Sequence, residues 1–199
     1  IITDDGGTDT SEKTDNGDDM YVFNNKVIAT LSSNQPTTLT TGTKEILKFT
    51  LTPSGDNNAF LKSVKVKIDE TDADTDTPLN VTAVDLYAGS TKIGSGSESG
   101  NEWTIDMASG VGNLEFAGDR YDEISSKGET YIVKVTAANV GTDDVITASL
   151  DVNADAPGED DVTWRDYGTN GENGIDVAWI NLGEDQGDIS TIENSIDNK

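Results

Sequence analysis

Apolar and polar residues alternate along most of this chain, and the spacing of an amphipathic helix is almost absent. In the segment SVKVKID, Val64, Val66 and Ile68 fall on one side, whereas Lys65 and Lys67 fall on the other. A period of two residues is typical of β-strands with one buried face and one solvated face. Such segments recur at short intervals, with Gly, Asn and Asp between them. The pattern predicts an all-β fold, an antiparallel β-sandwich of jelly-roll or Ig-like type with an extended N-terminal segment.

Composition divides the 199-residue chain into three parts. Residues 1–19 form an acidic N-terminal extension, which we consider a candidate donor segment. Residues 20–155 carry the alternating strands of the predicted sandwich. Residues 156–199 begin with the linker-like stretch APGEDD and are expected to hold a hairpin and a tail that pack on the sandwich. We interpret the weak helical pattern of residues 117–126 as a loop with one turn of helix.

The C-terminal part repeats a short phrase, Asp-Val-Thr-Trp ending at Trp164 and Asp-Val-Ala-Trp ending at Trp179. The connector TNGENG holds two Asn-Gly pairs, which favour the positive φ angles of tight turns. The repeat therefore predicts a β-hairpin with a tryptophan in each arm. Each tryptophan shares a face with a valine two residues earlier, which favours burial in the core or against a neighbouring subunit. The alternative is an aromatic platform for a sugar, formed together with Trp103.

The charge balance and the missing residue types exclude several functions. The formal net charge is −25, from 38 acidic and 13 basic residues, so neither nucleic acid nor an anionic membrane is an expected partner. The chain has no cysteine and no histidine, which removes disulfides, thiolate metal sites and the Ser-His-Asp triad. No apolar run is long enough for a membrane span. We therefore do not expect an enzyme.

Acidic residues in loops carry the hard oxygen ligands that calcium prefers. Carboxylates occupy alternate positions from Glu70 to Asp76, although the spacing is not that of an EF-hand, which needs a glycine and a glutamate that are missing here. The other interpretation is solvated charge that keeps the protein soluble. Calcium is the candidate cofactor that the sequence indicates. The candidate metal ligands are Asp72, Asp74 and Asp76 in one loop and Asp15, Asp18 and Asp19 in the N-terminal extension.

The order KEILKFTLTPSGDNNAFLKSVKVKID, NVTAVDLYAGSTKIG and GETYIVKVTAANV resembles β-sandwich modules in secreted surface proteins of candidate-phyla bacteria. The closing phrases DVTWRDYG and DVAWINLG also resemble the ends of such modules. The resemblance covers roughly residues 44–189, and its motifs are structural. It implies an extracellular, non-enzymatic surface protein and carries over no catalytic residue.

A looser resemblance is to donor-strand filament subunits, the archaeal bundling pili and biofilm fibres of the TasA type. In those proteins each subunit gives an N-terminal strand to its neighbour. That plan implies a donor anchored by Ile1 and Ile2, or alternatively a donor formed by residues 21–28. The candidate subunit-interface residues are Ile1, Ile2, Tyr21, Phe23, Trp164 and Trp179.

These observations favour an extracellular structural subunit that polymerises with copies of itself into a surface filament or layer by N-terminal strand donation. The alternative is a calcium-dependent carbohydrate-binding or adhesin module, whose partner would be a cell-surface glycan. A carboxylate-based glycosidase is the least favoured, since no catalytic constellation stands out. Asn80 begins an Asn-Val-Thr sequon, a candidate glycosylation site in agreement with secretion.

Overall fold

The structure, a computed structural model, describes residues 26–73, 77–108, 114–116, 118–151, 161–166, 176–177 and 191–199. These residues form β-strands joined by turns and short loops. The strands are β1 Val27–Leu31, β2 Gly42–Pro53, β3 Ala59–Thr71, β4 Asn80–Ala88, β5 Thr91–Ser99, β6 Glu102–Met107, β7 Leu114–Phe116, β8 Asp119–Ile124, β9 Glu129–Ala138, β10 Val145–Asp151, β11 Val162–Asp166, β12 Asp176–Val177 and β13 Thr191–Asp197.

Nine of these strands follow one another in a continuous path, in the order β1-β2-β9-β4-β5-β6-β3-β10-β13. Every strand pair along the path is antiparallel. The prediction of an all-β antiparallel fold is therefore confirmed. The path forms one barrel-like sheet that is nearly closed, so two separate sheets are not clearly distinguished.

Closure occurs where the segment before β2 meets the last strand. Thr38 forms a parallel bridge with Asp197. The backbone N–H of Leu39 donates to the carbonyl oxygen of Asp197 (2.7 Å), and the N–H of Asp197 donates to that of Thr37 (3.2 Å). The free side of β13 is thereby covered at its C-terminal end.

Strand β3 organises the second half of the barrel because each of its edges pairs with two strands in succession. One edge pairs with β11 and then with β10, and the other pairs with β8 and then with β6. The β3–β11 register shifts between Thr163, opposite Ser63, and Trp164, opposite Leu61. Lys62 is thus the extra residue of a β-bulge, at the place where β8 gives way to β6 on the opposite edge.

The core follows the alternation that the sequence predicts. Val64, Val66 and Ile68 of β3 are buried, and Lys65 and Lys67 between them are exposed. The same alternation buries every second residue of β9. Because strands from all parts of the barrel contribute, the buried side chains form a continuous apolar cluster.

The C-terminal hairpin forms where the duplicated phrase predicts it. Strands β11 and β12 pair antiparallel, with Trp164 opposite Val177 and Arg165 opposite Asp176. Trp179 lies outside the described residues. Because β11 also pairs with β3, the hairpin extends the barrel sheet.

The expectation of a loop with one helical turn at residues 117–126 is wrong. Residues 119–124 form β8, which pairs with β7 and with the beginning of β3. Its buried residues, Tyr121 and Ile124, are three positions apart, a spacing that does not indicate a strand. Tertiary pairing with β3 overrides this local pattern.

Candidate functional site: the outer edge of the first strand

Strand β1 lies at one end of the sheet path and has an unusual composition for an edge strand. Its sequence, Val-Ile-Ala-Thr-Leu, contains no charged residue and no proline. Natural edge strands generally carry charges, prolines or bulges that prevent pairing with another chain. Leu31, the last residue of the strand, is 48% exposed. Among the described residues it is the large hydrophobic side chain that is exposed to solvent. This edge therefore lacks the features that protect against strand addition.

The hydrogen bonds at both ends of β1 show which backbone groups face away from β2. The N–H of Ser54 donates to the Lys26 carbonyl oxygen (2.7 Å), and the N–H of Ser32 donates to the Lys48 carbonyl oxygen (3.1 Å). Ladder bonds in an antiparallel pair alternate along the strand. In β1 the even-numbered residues therefore bond to β2, and the odd-numbered residues direct their N–H and C=O groups outward. Within the described ranges, no strand pairs with these outward groups.

The region between β2 and β13, in contrast, is closed by two side-chain amides. Gln35 Oε1 accepts a hydrogen bond from the backbone N–H of Lys48 (2.9 Å), and its Nε2 donates to the carbonyl oxygen of the same residue (2.6 Å). This amide thus takes the place of a strand partner. Asn194 Nδ2 donates to the carbonyl oxygens of Ile46 (2.7 Å) and Pro36 (2.9 Å). Side-chain bonding satisfies this stretch of β2 and leaves β1 as the end of the sheet path, where Leu31 is exposed and Val27 and Ala29 are buried.

The outer face beside this edge is balanced in charge, although the whole chain is strongly acidic. Glu45 forms ion pairs with Lys48 (2.7 Å) and Lys134 (3.4 Å), and Lys92 pairs with Asp85 (2.7 Å). The hydrogen bond from Lys48, together with the charges of both lysines, lowers the pKa of Glu45 against the opposing effect of burial. A neighbouring copy approaching this face would meet little of the repulsion expected from the net charge.

A buried tyrosine and a carboxylate form the polar contact beneath the β8–β9 side of the barrel. The Tyr131 hydroxyl donates to Asp122 Oδ2 (3.0 Å), and the Tyr131 ring stacks on Phe49 with centroids 5.7 Å apart. Burial raises the pKa of Asp122, and the acidic neighbours Glu129 and Glu123 raise it further. Burial and the Asp122 charge raise the pKa of Tyr131 well above its usual value. The raised pKa of Tyr131 keeps its hydroxyl protonated, as the donor of this hydrogen bond.

Replacing Asp122 by asparagine is expected to reduce the loss of stability that accompanies rising pH. The folded protein holds the Asp122 proton more tightly than the unfolded chain, so the stability from this group is complete below about pH 4 and is lost as the pH rises through the raised pKa. Denaturation of both proteins from about pH 4 to neutrality measures the difference. The Asp69→Asn variant is the control. Lys67 lowers the pKa of Asp69, so Asp69 titrates below about pH 4, and its replacement should leave the pH dependence from pH 4 to neutrality nearly unchanged.

Of the six predicted calcium ligands, the structure describes Asp72. Asp72 is exposed at the end of β3, and Asp15, Asp18, Asp19, Asp74 and Asp76 lie outside the described residues. Next to Asp72, the backbone N–H of Ala73 donates to Oδ1 of the fully buried Asp144 (2.9 Å). Within the described ranges, no group of three or more acidic side chains could hold a metal ion.

Two of the three tryptophans are part of the core. Trp164 is 1% exposed and Trp103 is 6% exposed, so neither ring offers an open platform for a sugar. Trp164 is buried in the core of its own chain. The sequence had left open whether it is buried there or against a neighbouring subunit. Trp179 lies outside the described residues.

The remaining predicted residues fall at the surface or outside the described ranges. Asn80 is the exposed first residue of β4, opposite Ala138 of β9. Ile1, Ile2, Tyr21 and Phe23 lie outside the described residues. Residues 27 and 28 of the alternative donor already pair with β2 of the same chain. Sequence reasoning predicted β1 as a strand but missed its position at the edge. The signal available was the absence of charge from residue 27 to residue 31.

No sequence motif and no relative assigns a function to the outer edge of β1. Among the described residues, no helix is both long enough and apolar enough to cross a membrane. No protein-family model, no curated protein and no solved structure matches this chain.

Proposed function

We propose that this chain is an extracellular structural subunit that polymerises with copies of itself by adding a donated strand to the outer edge of β1. The observation that carries the proposal is the uncharged, proline-free edge strand with its exposed Leu31. A donated strand would bond to the outward N–H and C=O groups of β1, starting at the exposed Leu31, whereas Val27 and Ala29 are 0% and 1% exposed and would have to be uncovered first. Contacts of this head-to-tail kind that do not close into a ring give filaments.

The acidic extension, residues 1–19, is the proposed donor. It holds seven acidic residues and one lysine. On the two strands that follow β1 in the sheet, Lys48 of β2 and Lys134 of β9 share one acidic partner, Glu45. This charge complementarity favours docking of the extension on the next copy. Ile1 and Ile2 would supply the apolar anchor, and calcium bound by the acidic loops is the proposed cofactor.

A jelly-roll or Ig-like sandwich is our proposed description of the barrel, because β2 contacts β10, although the two strands are far apart along the sheet path. A barrel flattened in this way has two broad outer faces and short open edges. Strand addition at one of these edges extends the sheet without disturbing the core, as polymerisation of a folded subunit requires.

Deletion of residues 1–19 is expected to abolish filaments and to leave the fold intact, because the deletion removes the donor and no described strand. Negative-stain electron microscopy with and without a calcium chelator measures assembly, and circular dichroism measures folding. Loss of wild-type filaments on chelation would support a role for calcium. Filaments formed by the truncated protein would contradict donation by this segment.

A pair of variants at Leu31 tests the acceptor edge. Leu31→Pro removes an outward N–H without removing a bond to β2, a position where edge strands tolerate proline. Leu31→Thr keeps this N–H and removes only the large apolar side chain. We expect the proline variant to remain monomeric and the threonine variant to assemble. Equal assembly of the two variants would show that the β1 edge is not the acceptor.

A further inference from the structure

A second surface feature lies away from β1, at one mouth of the barrel. A cavity of about 290 Å³ opens there between the end of β3 and the β5–β6 hairpin. In the sheet register, Trp103 of β6 lies opposite Val66 of β3 and Glu98 of β5. The residues that line the cavity are Ile68, Asp69, Glu70, Glu98, Gly100, Asn101 and Trp103.

Trp103 lines this cavity and carries a buried donor that has no acceptor among the described residues. The ring is 6% exposed, and no described residue accepts a hydrogen bond from its indole N–H. Buried indole N–H groups normally have a partner. Gly96 fixes the ring from the other side, because a Cβ at that position would lie 3.1 Å from the Trp103 Cε3 atom. Gly96 thus packs against the benzene ring of this tryptophan in the cavity wall.

Two glutamates supply acceptors in the same cavity. Glu70 Oε1 accepts a hydrogen bond from the backbone N–H of Val81 (3.1 Å), which leaves its second oxygen available. Burial raises the pKa of Glu70, and the charge of Glu98 raises it further. Asp69, by contrast, is already engaged by Lys67 (2.7 Å) and Asn101 (2.9 Å). Among the described residues, Glu70 and Glu98 therefore supply the carboxylate oxygens of the cavity that no hydrogen-bond partner engages, beside the amide oxygen of Asn101.

We propose that this mouth binds a single neutral sugar residue. Its hydroxyl groups would donate to Glu70 and Glu98 and accept from the indole N–H of Trp103. An anion would be repelled by the two carboxylates, and a simple cation would leave the indole donor without an acceptor. A hydroxyl group both donates and accepts. The cavity is at the small end of ligand pockets, which favours one ring over an extended oligosaccharide.

Titration of the full chain with glucose, galactose, mannose and N-acetylglucosamine tests this proposal. The probe is the indole N–H resonance of Trp103, assigned with the Trp103→Phe variant. We expect a saturable shift of this resonance with at least one of these sugars. A glycan array then distinguishes a free monosaccharide from the terminal residue of a surface glycan. The absence of a saturable shift with every sugar and every arrayed glycan would overturn the proposal and leave water as the occupant.

Two glutamate variants locate the binding. Glu98→Gln should weaken sugar binding about tenfold or more, since it removes a charged hydrogen-bond acceptor. Glu102→Gln is the matched control, because Glu102 is an exposed residue of the same hairpin that does not line this cavity. Equal affinities of the two variants would place the binding elsewhere and overturn the assignment. The proposal does not rest on polymerisation, so both variants can be tested in the monomeric deletion variant as well.

Discussion

Replacing Trp164 by alanine is expected to lower the free energy of unfolding by about 3–5 kcal/mol. The ring is among the largest fully buried side chains of the described residues. It stands on β11, opposite Leu61 of β3 and opposite Val177 of β12. Its removal leaves a cavity where two strand pairs meet, and strands on both sides limit the collapse of that cavity. Chemical denaturation followed by circular dichroism measures the change.

Two further variants test the same prediction, even if the alanine variant does not fold. Trp164→Phe retains an aromatic ring and should cost less than the alanine substitution. Leu31→Ala removes a side chain that is about half in solvent, so it should cost about 1 kcal/mol or less. A loss for Trp164→Ala no larger than that for Leu31→Ala would show that the indole does not stabilise the core.

Alternation in the sequence predicts the core because burial follows the period of the strand. Val133 and Val135 of β9 are buried as their positions indicate. The same rule places Arg165 in solvent, since it follows the buried Trp164. Instead Arg165 is 6% exposed, and its Nη1 donates to the Tyr121 hydroxyl (3.3 Å). Alternation describes one sheet face, whereas here Tyr121 of β8, the strand on the opposite edge of β3, covers Arg165 on the second face, and a local pattern does not contain that information.

Closure of the barrel also lies beyond what the sequence predicts. Gln35 and Asn194 are polar residues of the kind that periodicity assigns to loops or solvated faces. Their amides each bond to backbone groups, and these bonds link the segment before β2 to β2 and β13. Whether an amide replaces a strand partner depends on which backbone groups remain unpaired in the folded sheet. The same limitation applies to the mouth cavity, because Glu98 and Trp103 meet only through strand register.

Replacing Gly94 by alanine is expected to destabilise the protein by about 1–3 kcal/mol, near the upper end of that range. Gly94 lies in β5 between Leu86 of β4 and Met107 of β6. A Cβ here would be 2.6 Å from the carbonyl oxygen of Asp106 and 2.7 Å from Cγ2 of Ile105. The first of these atoms is backbone, so no change of rotamer relieves the contact. Strand β5 must move away from β6, which weakens the sheet in the middle of its path.

Neighbouring positions of the same strand provide a graded control that separates this close contact from a general effect of substitution in β5. A Cβ at Gly96 would approach the Val84 carbonyl oxygen at 3.1 Å, so Gly96→Ala should cost less than Gly94→Ala. Ser95→Ala alters an exposed side chain between them and should change the denaturation midpoint little. The expected loss of stability is largest for Gly94→Ala, smaller for Gly96→Ala and smallest for Ser95→Ala. Equal midpoints for all three variants would mean that β5 does not require the absence of a side chain at Gly94.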